Sequence, residues 1–207
     1  MSLERILNAE SVAIIGASKN ETKRGYQTIR TLLDEKFEGR IYPVNPKEKS
    51  ILGFKCYKKI SDIEEPVDVA LVATPAATLP AVLEDCGRNG VSGAVVLAGG
   101  FGEMGREGRK LENEMVAVAQ KHRIRLIGPN TSGMLNMHTN LNLVGLKDAP
   151  KGDIALLTQS GNMALTLITE AKIKSRKGFS YYVGVGNEAD IKFHEYLEFF
   201  RQDPHTK

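Results

Sequence analysis

Short aliphatic runs alternate with longer amphipathic segments along most of this 207-residue chain. Within residues 1–130, the apolar pattern predicts strands over 11–16, 40–44, 68–73, 93–98 and 124–127. Between these strands it predicts helices over 25–36, 76–88 and 111–122. Such alternation favours parallel strands joined by right-handed crossovers. The expected fold class is therefore α/β, and residues 1–130 are expected to form a Rossmann-like, doubly wound parallel sheet.

Residues that interrupt extended structure follow each predicted strand. They are Gly16, Asn45-Pro46, Thr74-Pro75, Gly99-Gly100 and Gly128-Pro129. In open parallel sheets, ligands bind outside the carboxyl ends of the strands. We therefore expect the binding site along this edge of the first sheet.

The loop after the first predicted strand runs from Gly16 to Gly25 and lacks the GxGxxG spacing of dinucleotide-binding proteins. Glycine lets backbone N–H groups approach a phosphate, and a helix N-terminus adds a favourable partial charge. Cationic side chains would pair with phosphate oxygens. The candidate ligand-binding residues here are Gly16, Ala17, Ser18, Lys23, Arg24 and Gly25. The alternative is an ordinary surface loop with solvated cations.

The turn after the second predicted strand reads Asn45-Pro46-Lys47. NAD-binding proteins place an acidic residue in this region to hold the ribose hydroxyls. A lysine instead favours a phosphorylated ribose, as in coenzyme A or NADP. Charge thus excludes NAD more firmly than it separates coenzyme A from NADP, and an exposed turn lysine without a ligand is the remaining alternative.

Three further turns complete the candidate set. The glycines of Ala98-Gly99-Gly100-Phe101 permit close approach to a thin ligand such as a pantetheine arm, unless the loop makes no contact at all. The other turns follow the third and fifth predicted strands and contribute Thr74, Pro75 and Asn130.

The pattern restarts after a segment without clear periodicity. Residues 131–152 are expected to be a connector, and 153–207 to contain strands over 153–158 and 179–185 and helices over 161–172 and 191–200. Two strands and two helices make a poor independent core. We therefore expect an α/β domain that is incomplete here or is completed by another polypeptide.

A serine and a glycine stand at the start of the helix predicted from residue 161. Helix N-termini bind anions, and serine is a common N-cap. The candidate phosphate-binding residues are Ser160, Gly161 and Asn162. A capping role for Ser160 alone is the alternative. A nucleophile elbow is excluded because the GxSxG motif is absent.

Composition argues against several functional classes. The net charge is +3, the positive residues are dispersed and tryptophan is absent, which does not favour nucleic-acid binding. Two separated cysteines and four histidines without ligand spacing predict no disulfide framework and no metal site. No apolar run reaches the length of a membrane span, so no membrane association and a cytoplasmic location are expected.

Seven segments together resemble the NDP-forming acyl-CoA synthetase superfamily, in that family's order. They are GASKNETKRGYQTIRTLL, YPVNPK, DVALVATPA, LAGGFGEMGREG, LIGPNTSG, IALLTQSG and VGVGNEAD. The resemblance is strongest to the α portion of ADP-forming acetyl-CoA synthetase. It is weaker to the α subunit of succinyl-CoA synthetase, in which Cys-Pro usually follows the GPN motif where Thr131-Ser132 stand here.

The resemblance implies a coenzyme A-binding domain followed by part of a flavodoxin-like domain. It implies that Ser18, Lys47 and the loop 98–101 contact coenzyme A or acyl-CoA, and that Ser160 and Gly161 cradle a phosphoryl group. In the family, an acyl phosphate forms and its phosphoryl group moves to a histidine. An ATP-grasp domain or β subunit with Mg²⁺ then passes the group to ADP. A homo- or hetero-oligomer is also consistent with this organisation.

One departure from the family pattern concerns that histidine. It normally lies in a His-Thr-Gly-Ala or His-Ala-Gly-Ala context, which these residues lack, so none of the four histidines inherits its role. This chain alone is therefore expected to be inactive. Two other functions stay open at this stage: a coenzyme A-binding regulatory module of a protein lysine acetyltransferase, and an NADP-binding domain.

We predict that coenzyme A binds this chain and that NAD does not, because Lys47 stands where NAD-binding proteins carry an acid. Isothermal titration calorimetry with each ligand measures both affinities. Tight NAD binding without a coenzyme A signal would contradict the assignment.

Overall fold

A computed structural model of the protein describes residues 3–174 and 177–207, which form two large packed β-sheets and a small hairpin. The strands are β1 (Ser11–Ile15), β2 (Arg40–Val44), β3 (Ser50–Ile51), β4 (Phe54–Lys55), β5 (Val69–Val72), β6 (Gly93–Val96), β7 (Arg125–Ile127), β8 (Met134–Asn136), β9 (Leu141–Asn142), β10 (Lys151–Thr158) and β11 (Phe179–Gly184). The α-helices are α1 (Glu4–Leu7), α2 (Arg24–Asp34), α3 (Leu79–Asn89), α4 (Arg106–Lys121), α5 (Gly161–Lys174) and α6 (Phe193–Gln202).

The first sheet has five parallel strands in the order β2-β1-β5-β6-β7. The chain passes from β1 to β2 on one side and then returns to the opposite side of β1 with β5. The order therefore reverses between β1 and β5, which is the topological switch point where such sheets bind ligands. The predicted Rossmann-like sheet is confirmed.

Helices cover both faces of this sheet. All five residues of β1 are buried, but successive side chains enter different hydrophobic clusters. Val12 and Ile14 belong to the cluster that includes α2, whereas Ala13 and Ile15 belong to the cluster that includes α3 and α4. Because both faces are covered, the carboxyl edge of the strands is the open region for a ligand.

A small hairpin after β2, which the sequence analysis does not predict, extends this edge. Strands β3 and β4 join through Leu52 and Gly53, whose φ angles of 48° and 86° suit a type I′ turn. Tyr57 then bridges back to Val44 at the end of β2. The consequence is that Lys58 and Lys59, which follow directly, lie beside the carboxyl edge of the sheet.

The second sheet has the order β10-β11-β8-β9. Strands β10 and β11 are parallel, whereas β8 pairs antiparallel with both β11 and β9. The segment 131–152, expected to be a connector, supplies β8, β9 and the first residues of β10. Strands of two or three residues are too short to show an alternating pattern, and the pairing of β8 with β11 and of β9 with β8 is set by tertiary contacts.

The first sheet and its helices form a first unit, and the second sheet with α5 and α6 forms a second unit. An arginine between two carboxylates joins the two. Arg125 Nε donates to Asp190 Oδ2 at 2.9 Å, and Arg125 Nη2 donates to Glu195 Oε2 at 2.8 Å. Burial by itself would raise the pKa of Glu195, but the Lys192 backbone N–H and the Arg125 guanidinium hold that pKa below its usual range. The two units also share one hydrophobic cluster that includes Ile14 and Tyr181.

In the part of the chain that the structure describes, no helix has both the length and the apolar character needed to cross a membrane. The cytoplasmic location stays a prediction. Cys56 and Cys86 are free and buried.

We expect Arg125→Met to lower the free energy of unfolding by about 2 kcal/mol at neutral pH, since it leaves two carboxylates without their charged donor. Glu195 has a lowered pKa in the folded state, so its contribution is present above the unfolded pKa and is lost as the pH falls through the folded one. The difference between variant and wild type should therefore shrink in acid.

Denaturant unfolding at neutral and acidic pH measures this difference. The matched control is Arg201→Met, which removes an exposed pair with Glu198 and should change the free energy of unfolding much less than Arg125→Met does. Equal losses for both variants would contradict a linking role for Arg125.

Candidate functional site

A cleft of about 980 Å³ lies at the carboxyl ends of β2, β1 and β5. The sequence-predicted residues that line it are Gly16, Lys23, Asn45, Pro46, Lys47, Thr74 and Pro75. Lining residues that the sequence analysis missed include Lys58, Lys59, Thr78, Val82 and Asp85. The cleft thus lies at the predicted edge and beside the switch point between β1 and β5.

The backbone of the loop after β1 is in direct contact with the backbone of the first turn of α2. A Cβ atom on Gly25 would lie 2.3 Å from the Gly16 carbonyl oxygen, so only glycine fits in the first turn of α2. Ser18 Oγ accepts a hydrogen bond from the Asn20 N–H at 3.0 Å, which leaves the serine hydroxyl hydrogen free to donate to a ligand. These contacts hold the start of α2 next to the end of β1.

Asn45 connects the loops after β1 and β2. Its Nδ2 donates to the Ala17 carbonyl at 2.6 Å, and its Oδ1 accepts from the Lys47 backbone N–H at 2.8 Å. Ala17 itself is fully buried. Asn45 and Ala17 therefore shape the wall of the cleft, while the Lys47 side chain is exposed along it.

Four lysines line the cleft: Lys23, Lys47, Lys58 and Lys59. Cations converging on a concave surface raise the local concentration of anionic ligands. On the neighbouring wall, the Thr78 hydroxyl donates to the Pro75 carbonyl at 2.7 Å and lies 2.8 Å from Thr74 Oγ1, so these groups are bonded to one another. The signal that would have revealed two of these cations is the Lys58-Lys59 doublet itself.

Arg24, a predicted phosphate ligand, bonds to two backbone carbonyls in the structure. Its guanidinium donates to the Val144 carbonyl at 2.7 Å and the Ser132 carbonyl at 3.2 Å, and burial lowers its pKa. The side chain therefore holds α2 against the segment after β7 and does not point into the cleft lining. Sequence spacing could not show this, because both acceptors lie more than a hundred positions away.

The glycine-rich loop after β6 lies farther along the same edge. A Cβ atom on Gly100 would be 3.6 Å from the Ala76 side chain, so this loop lies next to the Thr74-Pro75 wall of the cleft. The Phe101 side chain is fully buried in the core, so only the backbone of this residue can face the edge.

A carboxylate and two amides surround this loop. Glu103 Oε1 accepts from the Gly100 N–H at 2.6 Å, and Glu103 Oε2 accepts from Asn187 Nδ2 at 2.6 Å. Burial would raise the pKa of Glu103, but these donors hold it below its usual range. Asn130 follows β7, lies apart from the lysine cleft, and has its Oδ1 beside Gly99.

The first turn of α5 forms the far end of this row of loops. Ser160 Oγ accepts from the Met163 N–H at 3.3 Å, as an N-cap does, and the Ser160 N–H donates to Thr158 Oγ1 at 3.0 Å. Both Ser160 and Asn162 are exposed. A Cβ atom on Gly161 would lie 3.1 Å from Ser132 Cβ, so α5 begins directly against the turn that follows Asn130.

Ser132 belongs to a group of three hydroxyls under that turn. Its Oγ bonds to Tyr182 Oη, and Thr131 Oγ1 donates to the Gly184 carbonyl. Burial raises the pKa of Tyr182, although the Ser132 bond opposes the shift. Thr131 and Ser132, which stand where the succinyl-CoA synthetase pattern has Cys-Pro, are therefore bonded to β11 of the second sheet.

The four histidines lie away from the cleft lining and from the first turn of α5. His122 Nε2 bonds to Glu84 Oε2 at 2.7 Å between α4 and α3. The rings of His138 and His205 stack with centroids 3.9 Å apart, a pairing across the chain that sequence analysis missed. Within residues 3–174 and 177–207, no group of three or more His, Cys, Asp or Glu residues is placed to hold a metal ion.

Residues 10–137 match the model described as a CoA binding domain. The chain belongs to this CoA-binding domain family. Residues 151–207 of this CoA-binding protein match the model of the succinyl-CoA ligase like flavodoxin domain. The two family models thus cover both of the described units.

Relatives of this CoA-binding protein are ADP-forming ligases. The acetate–CoA ligase (ADP-forming) of Methanocaldococcus jannaschii is 44% identical over 206 residues, which are 99% of this chain and 29% of that protein. The α subunit of acetate–CoA ligase (ADP-forming) I of Pyrococcus furiosus is 42% identical over 212 residues, which cover all of this chain and 46% of that subunit. The chain therefore spans less than half the length of these relatives.

A solved structure has the same fold. It is the dinucleotide-forming acetyl-coenzyme A synthetase 1 of Candidatus Korarchaeum cryptofilum in complex with phosphate and ADP, with a TM-score of 0.94 and 39% identity over 99% of this chain and 44% of that chain. These findings confirm the resemblance to the NDP-forming acyl-CoA synthetases. They give no support to the acetyltransferase-module or NADP-binding alternatives.

We predict that Lys47→Ala weakens coenzyme A binding about tenfold, or about 1.4 kcal/mol, because an exposed charge-assisted contact to phosphate is partly screened. Binding of 3′-dephospho-coenzyme A should change much less. Lys49→Ala is the matched control, since Lys49 is exposed on the same segment but outside the cleft. If calorimetry showed equal losses of affinity for both ligands, Lys47 would not contact the 3′-phosphate.

Proposed function

We propose that this chain is the coenzyme A-binding part of an NDP-forming acyl-CoA synthetase. The complete enzyme would convert an acyl-CoA such as acetyl-CoA, with ADP and phosphate, to the free acid, ATP and coenzyme A. The observation that carries the proposal is a single row of loops, with four lysines at one end and the start of α5 at the other.

The lysine end of the row fits the nucleotide end of coenzyme A. Lys47, Lys58 and Lys59 line a cleft whose other lining residues include threonine and apolar side chains and one carboxylate, Asp85. Coenzyme A carries a 3′-phosphate on its ribose and a pyrophosphate, so it needs several cations around an otherwise uncharged base. Lys23, at the start of α2, adds a charge where the helix N-terminus also favours phosphate.

The length of the row fits the extended shape of coenzyme A. Five strand ends spaced about 4.8 Å apart span roughly 19 Å from β2 to β7. A ligand with its phosphates at the lysines would direct its pantetheine arm past Thr74-Pro75 toward Gly99 and Gly100. Its thiol would then lie near Asn130, where the second unit begins.

The start of α5 fits a phosphoryl group. The first N–H groups of a helix have no intrahelical partner, and their partial positive charge favours an oxyanion. Ser160 adds a hydroxyl hydrogen beside those groups. Phosphate is bound in the Korarchaeum relative, which is 39% identical to this chain. We therefore assign Ser160, Gly161 and Asn162 to phosphoryl binding.

The outer face of α5 supports a contact with the rest of the ligase. Met163, Leu165, Leu167 and Ile173 are 45–70% exposed, although the helix also buries Ala164 and Ile168 on its inner side. A helix that is apolar all round is normally buried on all sides. Strand β10 also lies at the edge of its sheet, where another strand can pair. We propose that the remaining part of the enzyme covers these surfaces and carries the phosphorylated histidine and the ATP-grasp site for Mg²⁺ and ADP.

We expect the isolated chain to form no acyl-CoA from acid, ATP and coenzyme A. With labelled ATP and the remaining part of the ligase supplied separately, label should appear on that partner only. Ser160→Ala should reduce the label tenfold or more, on the order of the effect of removing one anion donor. Asn113→Ala, on the exposed side of α4 and away from α5, is the control. Acid-labile label on the isolated chain, abolished by mutating one of its histidines, would contradict the proposal.

A further inference from the structure

The loop between β11 and α6 reaches across to the glycine-rich loop of the first unit. Asn187 Nδ2 donates to Glu103 Oε2 at 2.6 Å and to Glu112 Oε2 at 3.2 Å, and Asn187 Oδ1 accepts from Asn130 Nδ2 at 3.4 Å. One carboxamide thus connects the loop after β6, helix α4 and the turn after β7.

The two carboxylates are themselves bonded to the backbone of the glycine-rich loop. Glu103 Oε1 accepts from the Gly100 N–H at 2.6 Å, and Glu112 Oε2 accepts from the Gly102 N–H at 3.3 Å. Asn187 lies between the carboxylates and reduces their mutual repulsion by donating to both. Without the Asn187 donor, the two carboxylates that bond to this loop would repel each other, and none of the contacts described here would offset the repulsion.

The backbone around Asn187 is fixed independently of its side chain. The Asn187 N–H donates to the Pro129 carbonyl at 2.9 Å, and the Ala189 N–H donates to the Gly128 carbonyl at 3.0 Å. A Cβ atom on Gly186 would lie 2.1 Å from the Pro129 oxygen, so the two backbones are in direct contact. A change confined to the Asn187 side chain should therefore leave the docking of this loop in place.

We propose that Asn187 is a positioning residue that holds residues 99–102 in the shape that receives the thiol end of coenzyme A. The proposal rests on the proposed function, which directs the pantetheine arm along this loop. It also assigns a ligand-shaping residue to the second unit, although the coenzyme A-binding family model ends at residue 137. One side chain that follows β11 would then shape the coenzyme A site formed by the loops of the first sheet.

Two ligands of different length test this role. Adenosine 3′,5′-bisphosphate carries the phosphates that the lysines recognise but has no pantetheine arm. We expect Asn187→Ala to weaken coenzyme A about tenfold and to change adenosine 3′,5′-bisphosphate less than twofold, both measured by calorimetry. Lys47→Ala should weaken both ligands, and Asn113→Ala, on the exposed side of α4, should weaken neither.

A donor–acceptor exchange distinguishes positioning from a general loss of structure. Asn187→Asp places a third carboxylate beside Glu103 and Glu112 and should weaken coenzyme A more than Asn187→Ala does. Adding Glu103→Gln restores a donor and an acceptor between positions 103 and 187 and should recover part of the affinity. Recovery is partial because Glu112 still faces the new carboxylate.

Each outcome decides the proposal. Equal losses for both ligands in Asn187→Ala, or no loss for either, would overturn it, as would a double variant that binds coenzyme A no better than Asn187→Asp. A wild-type chain that binds adenosine 3′,5′-bisphosphate but not coenzyme A would also overturn it. Wild-type protein that binds neither ligand would instead overturn the coenzyme A site itself, and this proposal with it.

Discussion

The parallel register of the first sheet is the constraint on which the rest of the site depends. Ile15 lies opposite Val44 on one side and Val72 on the other, and Val72 lies opposite Val96. Because the strands end at the same level, the loops that follow them meet along one edge. The cleft that these loops form is lined by four lysines together with threonine and apolar side chains.

Elements outside the regular sheet determine what each end of that edge can bind. The hairpin after β2 brings Lys58 and Lys59 to the outer end, where they add charge to Lys47. At the other end, the loop after β11 docks on Gly128 and Pro129 and places Asn187 beside the glycine-rich loop. The nucleotide end and the reactive end of a bound thioester would therefore be recognised by different kinds of contact.

The sequence pattern predicted those strands and helices whose residues show a clear apolar period and a residue that ends the element. Strand β2 begins and ends where the sequence pattern places it, because a buried aliphatic run is followed by Asn45-Pro46. Helix α4 begins at Arg106 instead of residue 111, since its first turn is polar and shows no apolar period. Strands β8 and β9 were not predicted, because two or three residues carry no periodic signal without β11 beside them.

The sequence by itself determined the α/β class, the presence of Lys47 in the turn after the second strand, and the family. These depend on order and spacing along the chain, which the sequence contains directly. Only the tertiary structure decided that Arg24 bonds to carbonyls near residues 132 and 144, that Phe101 is buried, and that Asn187 reaches Glu103. Those contacts join residues far apart in sequence, and their partners are fixed by packing between the two sheets, which no local pattern encodes.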